Sequence, residues 1–140
     1  MSRIAVVYWS GTGNTEKMAN AVAQGAISKG AEVDMLVASQ FDTSKLADYD
    51  AIAFGCPSMG CEELEDSEFA PIFENCLPLL SGKRIALFGS YGWGDGEWMR
   101  NWEKTCSDAG AMMPIEPVTS NEAPDEDGIK SCHDMGAALA

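Results

Sequence analysis

Residues 3–9 (Arg-Ile-Ala-Val-Val-Tyr-Trp) form a nearly unbroken apolar run. That is the pattern of a strand buried on both faces of a parallel sheet. Residues 32–37 (Glu-Val-Asp-Met-Leu-Val), 51–55 (Ala-Ile-Ala-Phe-Gly) and 83–89 (Lys-Arg-Ile-Ala-Leu-Phe-Gly) read as three further strands. Between them the period lengthens. Met18, Ala19, Val22, Ala26 and Ile27 recur near helical spacing across residues 14–29, with Gly30 as the stop. A second helix is expected from about Ser67, past Phe69, Ile72, Phe73 and Cys76, to about Pro78. Trp98, Met99, Trp102 and Cys106 occupy i, i+1, i+4 and i+8 of another, ended by Gly110, and here the tryptophans read as core. A last helix covers roughly residues 125–139, and a short helical turn is expected around residues 44–46. The fifth strand is expected within residues 111–119, where Pro114 and Pro117 demote part of it to an edge. This alternation predicts an α/β fold: a doubly wound parallel sheet with right-handed crossovers and helices on both faces, in one domain over residues 1–140.

The stretch after the first strand is Ser10-Gly11-Thr12-Gly13-Asn14-Thr15, and it opens the first helix. Its residues are small, hydroxylic, amide-bearing or glycine, and none is charged. Glycines let the backbone come close to a ligand. Three hydroxyls can donate, and the free N–H groups of the helix start point at the same place. This suits an anion. A Walker A loop would need Gly-Lys-Ser/Thr at its end, and no lysine stands there. A dinucleotide fingerprint would need a third glycine where Glu16 is found. A phosphate held by neutral donors and a helix dipole remains.

Composition narrows the function further. The chain has 140 residues, room for one sizeable core, and a formal net charge of −13. That charge argues against nucleic acid, whose phosphates need cations, and against anionic membranes. It favours a basic protein partner. The five cysteines (Cys56, Cys61, Cys76, Cys106, Cys132) are odd in number and form no C-x-x-C pair, so reduced thiols are expected. Cys56 is no phosphatase nucleophile, because Glu62 stands where an arginine would be needed. With one histidine, His133, a metal site has little support. No apolar run approaches the roughly 20 residues of a spanning helix, and no secretory signal is visible. A cytoplasmic protein is expected.

Residues 10–15 resemble the FMN phosphate loop of the flavodoxins, with the pattern Thr/Ser-x-Thr-Gly-x-Thr matched at its four specified positions. Two later segments resemble the short-chain flavodoxins of anaerobic bacteria, so the likeness runs essentially end to end. They are Pro57-Ser58-Met59-Gly60-Cys61-Glu62, after the third strand, and Gly89-Ser90-Tyr91-Gly92-Trp93-Gly94-Asp95-Gly96, after the fourth. The resemblance implies the strand order 2-1-3-4-5, which is the flavodoxin topology itself and is taken from the family, not from the pattern. It also implies one non-covalently bound FMN. By resemblance Met59 and Trp93 sandwich the flavin ring, a thioether and an indole face burying an apolar tricycle. Glu62 accepts from the flavin N3–H, Trp9 and Ser90 touch the phosphate and ribityl region, and Asn121 reaches the polar end of the flavin.

In the family, the peptide after the glycine matched by Gly60 turns over on reduction, and its carbonyl then accepts from flavin N5–H. The turned form needs φ > 0, which glycine supplies at little cost. Cys61 departs from the small polar or acidic residue usual there. The chemistry implied is one-electron transfer between semiquinone and hydroquinone by a monomeric carrier with no catalytic residue. Implied partners are basic-surfaced redox enzymes such as flavodoxin or ferredoxin reductases and low-potential oxidoreductases.

Charge supports that reading. Glu62, Glu63, Glu65, Asp66, Glu68, Asp95, Glu97, Glu122, Asp125, Glu126 and Asp127 all follow the carboxyl ends of strands three to five, with no Lys or Arg in those stretches. A solvated face is the ordinary reading of such a run. At the ligand edge, each carboxylate about 10 Å from a flavin anion opposes it by roughly 1–2 kcal/mol before screening. A response-regulator receiver shares the topology but needs acids after strand one and a phosphoacceptor Asp after strand three, where Ser10 and Cys56 stand. The enzyme alternative is an FMN-dependent NAD(P)H quinone or nitro reductase, which would need open space over the flavin.

Overall fold

In the computed structural model, residues 2–11, 13–58, 64, 65, 67–92 and 96–140 are described. Five strands, β1 (Arg3–Tyr8), β2 (Glu32–Val37), β3 (Ala51–Gly55), β4 (Arg84–Tyr91) and β5 (Val118–Asn121), form one sheet in the order β2-β1-β3-β4-β5. Every described pairing is parallel. Among the described residues three α-helices connect strands, α1 (Asn14–Ser28), α2 (Phe69–Cys76) and α3 (Glu97–Asp108), and a fourth, α4 (Glu126–Leu139), follows β5. The turn expected around residues 44–46 is a 3₁₀ segment, Thr43–Asp48.

The period of two explains why β1 is apolar throughout. Ile4, Val6 and Tyr8 face a layer made by Met18, Val22 and Ala26 of α1 with Cys132, Met135 and Leu139 of α4. Ala5 and Val7 face the other layer, built on Phe54, Phe69, Phe73, Trp98 and Trp102. There the rings of Phe54 and Phe73 meet edge-on at 5.2 Å, and Trp102 stands edge-on to both Phe69 and Phe73 at 5.5 and 5.6 Å.

On the first layer α1 and α4 touch backbone to backbone. A Cβ added at Gly136 would lie 1.8 Å from the Val22 carbonyl oxygen, and one at Gly25 would lie 1.8 Å from that of His133. These two glycines set how closely the helices approach.

Two expectations are corrected at the far edge of the sheet. Residues 111–119 do not form the fifth strand as a whole. Met112 makes only an isolated bridge to Arg84, and the ladder begins at Val118 and runs through Ser120 to Asn121. Pro114 and Pro117 lack the N–H groups that a ladder needs. The pairing of β5 with Phe88, Gly89, Ser90 and Tyr91 also carries β4 past its expected end at Gly89. Ser90 and Tyr91 are therefore strand residues, not loop. The helix expected from Ser67 begins at Phe69 and tightens into a 3₁₀ turn, Leu77–Leu79, around Pro78.

Candidate functional site

The carboxyl ends of β1, β3, β4 and β5 converge on one cleft of about 530 Å³, within the roughly 300–1,000 Å³ typical of small-molecule sites. Trp9, Ser10, Gly11, Asn14 and Thr15 line it from the β1–α1 connection. Pro57 and Ser58 follow β3, Ser90 and Tyr91 end β4 with Gly92 after them, and Glu122 and Ala123 follow β5. Ladder-like bonds hold these walls in register. The Trp9 N–H donates to the Gly55 carbonyl at 3.0 Å, the Ser58 N–H to that of Ser90 at 3.0 Å, and the Glu122 N–H to that of Tyr91 at 2.7 Å.

The floor is the start of α1. Gly13 precedes the helix with φ 96°, a left-handed conformation that glycine adopts without a Cβ clash, and it has no side chain with which to cap. Ser10 supplies that role from three residues upstream. Its hydroxyl oxygen accepts the N–H of Gly13 at 3.1 Å and of Glu16 at 3.3 Å. It thus sits where the helix presents its positive end. Thr15 turns inward and is buried, with its hydroxyl 3.2 Å from that of Ser90. The indole of Trp9 lies across Gly11, where a Cβ would come within 3.0 Å of the ring.

Ten of the residues expected to bind cofactor line the cleft: Trp9, Ser10, Gly11, Asn14, Thr15, Pro57, Ser58, Ser90, Tyr91 and Gly92. Gly13 stands behind it as the residue preceding α1. Asn121 is placed differently. It belongs to β5, its amide donates to the Tyr91 carbonyl at 3.4 Å, and it borders a separate polar recess with Gly128 and Ser131. Glu122 and Ala123 occupy the cleft edge there. Thr12, Met59, Gly60, Cys61, Glu62, Trp93 and Gly94 lie outside the described residues.

Glu122 was legible only as one more acid. Its φ of 57° makes it the one non-glycine residue with positive φ among those described, and such strain gathers at ligand sites. By sequence Glu65 belongs to the acidic run after β3, but the structure turns it inward, 5% exposed. Its carboxylate accepts the N–H of Glu68 at 2.7 Å and of Ser67 and Phe69 at 2.9 Å, together with the Ser67 hydroxyl. Burial pushes the Glu65 carboxyl up, but the four donors outweigh it and bring it down to about 2. A depressed carboxyl stabilises the fold above its unfolded value and loses that contribution as pH falls toward its folded one. The stability gap between the wild-type chain and Glu65→Gln should therefore be full at neutral pH. It should shrink between about pH 4.5 and 2, as measured by urea unfolding across that range.

Among the described residues no Lys or Arg lines the cleft. Its donors are hydroxyls, an amide and the backbone of a helix start, the chemistry for a phosphate monoester held without a counter-charge. The Trp9 and Tyr91 rings supply apolar surface beside them. The donor set of Ser10, Asn14 and Thr15 and the rings of Trp9 and Tyr91 fit the chemistry of FMN.

The sequence pattern of the family described as flavodoxin matches residues 6–136 of the chain. The flavodoxin of Clostridium beijerinckii is 44% identical over 135 residues, covering 96% of this chain and 97% of its own. That of Megasphaera elsdenii is 44% identical over 137 residues, covering 98% of each. The solution structure of two-electron reduced Megasphaera elsdenii flavodoxin superposes with a TM-score of 0.90 over 97% of both chains.

Proposed function

The chain belongs to the flavodoxin family, and on that premise we propose that it carries single electrons on one non-covalently held FMN seated in the cleft. Proteins of this family bind FMN and transfer electrons, and they are not enzymes. When bound, FMN would supply one-electron redox chemistry. The chain's own residues hold and shield it. The observation that carries this reading is the neutral cradle of Ser10 and Thr15 at the start of α1, closed by Ser90. Full-length kinship with flavodoxins weighs against the reductase alternative. The discriminating experiment is incubation of the purified FMN-loaded protein with NADPH. An electron carrier leaves NADPH untouched until a reductase is added, and oxidation of NADPH by this protein alone would overturn the reading.

The proposed partners are redox enzymes with a basic docking face. Glu68, Glu97, Glu122, Asp125, Glu126 and Asp127 are exposed at or near the carboxyl end of the sheet, and their field speeds encounter with a cationic surface. Raising ionic strength from about 20 to 200 mM should slow electron transfer from such a partner by roughly tenfold or more. A rate unmoved by salt in stopped-flow measurements would remove steering from the account. Among the described residues no helix is long and apolar enough to cross a membrane, and the proposed place of action is the cytoplasm, as a monomer.

A further inference from the structure

Glu65 is the one buried carboxylate among the described residues, and it does not reach the cleft. Its carboxylate gathers the N–H groups of Ser67, Glu68 and Phe69 at the start of α2, while its own N–H donates to the Cys56 sulfur at 3.3 Å. Cys56 is wholly buried at the end of β3 and is held from three other sides. Its N–H donates to the Phe88 carbonyl at 3.1 Å, and its carbonyl accepts the indole N–H of Trp98 at 3.2 Å. Gly89 packs so closely on it that a Cβ would stand 2.2 Å from the Cys56 oxygen. Trp98 also tilts against Tyr91, with ring centroids 5.5 Å apart. The next two residues after Cys56 are Pro57 and Ser58, the wall of the cleft opposite α1.

We propose that Glu65 and Trp98 are positioning residues of the flavin site, acting jointly through Cys56 to fix the wall formed by Pro57 and Ser58. This rests on the reading of the cleft as an FMN site and adds to it two residues outside the cleft lining. A residue that serves stability alone lowers the melting temperature and leaves the folded cleft unchanged. A positioning residue changes the affinity of the folded cleft. The two residues also act on one residue, Cys56, through its sulfur and its carbonyl oxygen, so their effects on affinity should not add.

The test is titration of the apo form of the full chain with FMN, followed by loss of flavin fluorescence, beside thermal unfolding of each variant. Glu65→Gln weakens the carboxylate's hold on Ser67, Glu68 and Phe69 and so the turn that aims the Glu65 N–H at Cys56. Trp98→Phe removes the indole donor. Each should raise the FMN Kd by about tenfold. The double variant should exceed the larger single effect by less than about threefold. Cys132→Ala, in the layer on the opposite face of the sheet, should lower the melting temperature and leave Kd unchanged. Should Glu65→Gln not fold, Ser67→Ala removes one donor from the Glu65 carboxylate and should raise Kd by about threefold. Kd values within twofold of wild type in the folded variants, or fully additive effects in the double variant, would overturn the proposal. A wild-type chain that takes up no FMN overturns the reading of the cleft instead, which keeps the two failures apart.

Discussion

Gly136→Ala should lower the melting temperature by roughly 10 °C, measured by far-ultraviolet circular dichroism on the apo chain. Helix propensity alone predicts the opposite sign, since alanine in a helix interior is favoured over glycine by about 1 kcal/mol. The contact decides. The added methyl would stand 1.8 Å from the Val22 carbonyl oxygen, 2.8 Å from its carbon and 2.9 Å from the Ala26 nitrogen. These are backbone atoms of α1 and cannot rotate aside, so the helices must separate. Forced overpacking costs typically 1–3 kcal/mol and occasionally more, and a backbone obstacle places this case at the upper end. Separation would also loosen Met135 and Leu139, which are fully buried against β1 and α1. An unchanged or raised melting temperature would show that α1 and α4 do not meet as described.

Thr15→Val should weaken FMN binding by about 10- to 100-fold while leaving the apo fold intact. The substitution keeps the buried shape of a side chain that is 1% exposed and removes its hydroxyl. That hydroxyl lies 3.2 Å from the Ser90 oxygen and, on the proposed reading, faces the cofactor phosphate. A hydrogen bond to a charged group contributes about 1.5–3 kcal/mol, and every 1.4 kcal/mol is tenfold in affinity. Among the described residues of the lining there is no Lys or Arg to compensate. Thr15→Ser keeps the hydroxyl and should restore most of the affinity. A Kd for Thr15→Val within threefold of wild type would place the phosphate elsewhere.

Much of this was open to reading because the central elements are over-determined by local pattern. Val6 and Val7 are both buried, on opposite faces, so β1 had to read as an unbroken apolar run. Trp98, Met99, Trp102 and Cys106 are buried along one side of α3, so their spacing was sufficient. The proposed phosphate cradle rests on a different kind of signal. Its chemistry requires particular residue types in one short stretch, and residues 10–15 carry them. β5 was misplaced because Val118-Thr119-Ser120-Asn121 is short and polar at an edge, with only Ser120 buried. What makes it a strand is pairing with β4, a contact that no local pattern reveals. The same holds for Trp98, whose burial was expected and whose bond to the Cys56 carbonyl was not. Glu65 carried an acid's surface signature and entered the core because Ser67, Glu68 and Phe69 offer it donors. The left-handed backbone of Glu122 has no signature in a residue type that seldom adopts it.

The most direct measurement is equilibrium titration of the apo chain with FMN, read by flavin fluorescence and by the visible absorption of the complex. The account predicts a yellow protein holding one FMN per chain, saturating at low micromolar flavin or below. A chain that folds as described yet stays colourless and leaves flavin fluorescence unquenched at those concentrations would contradict it.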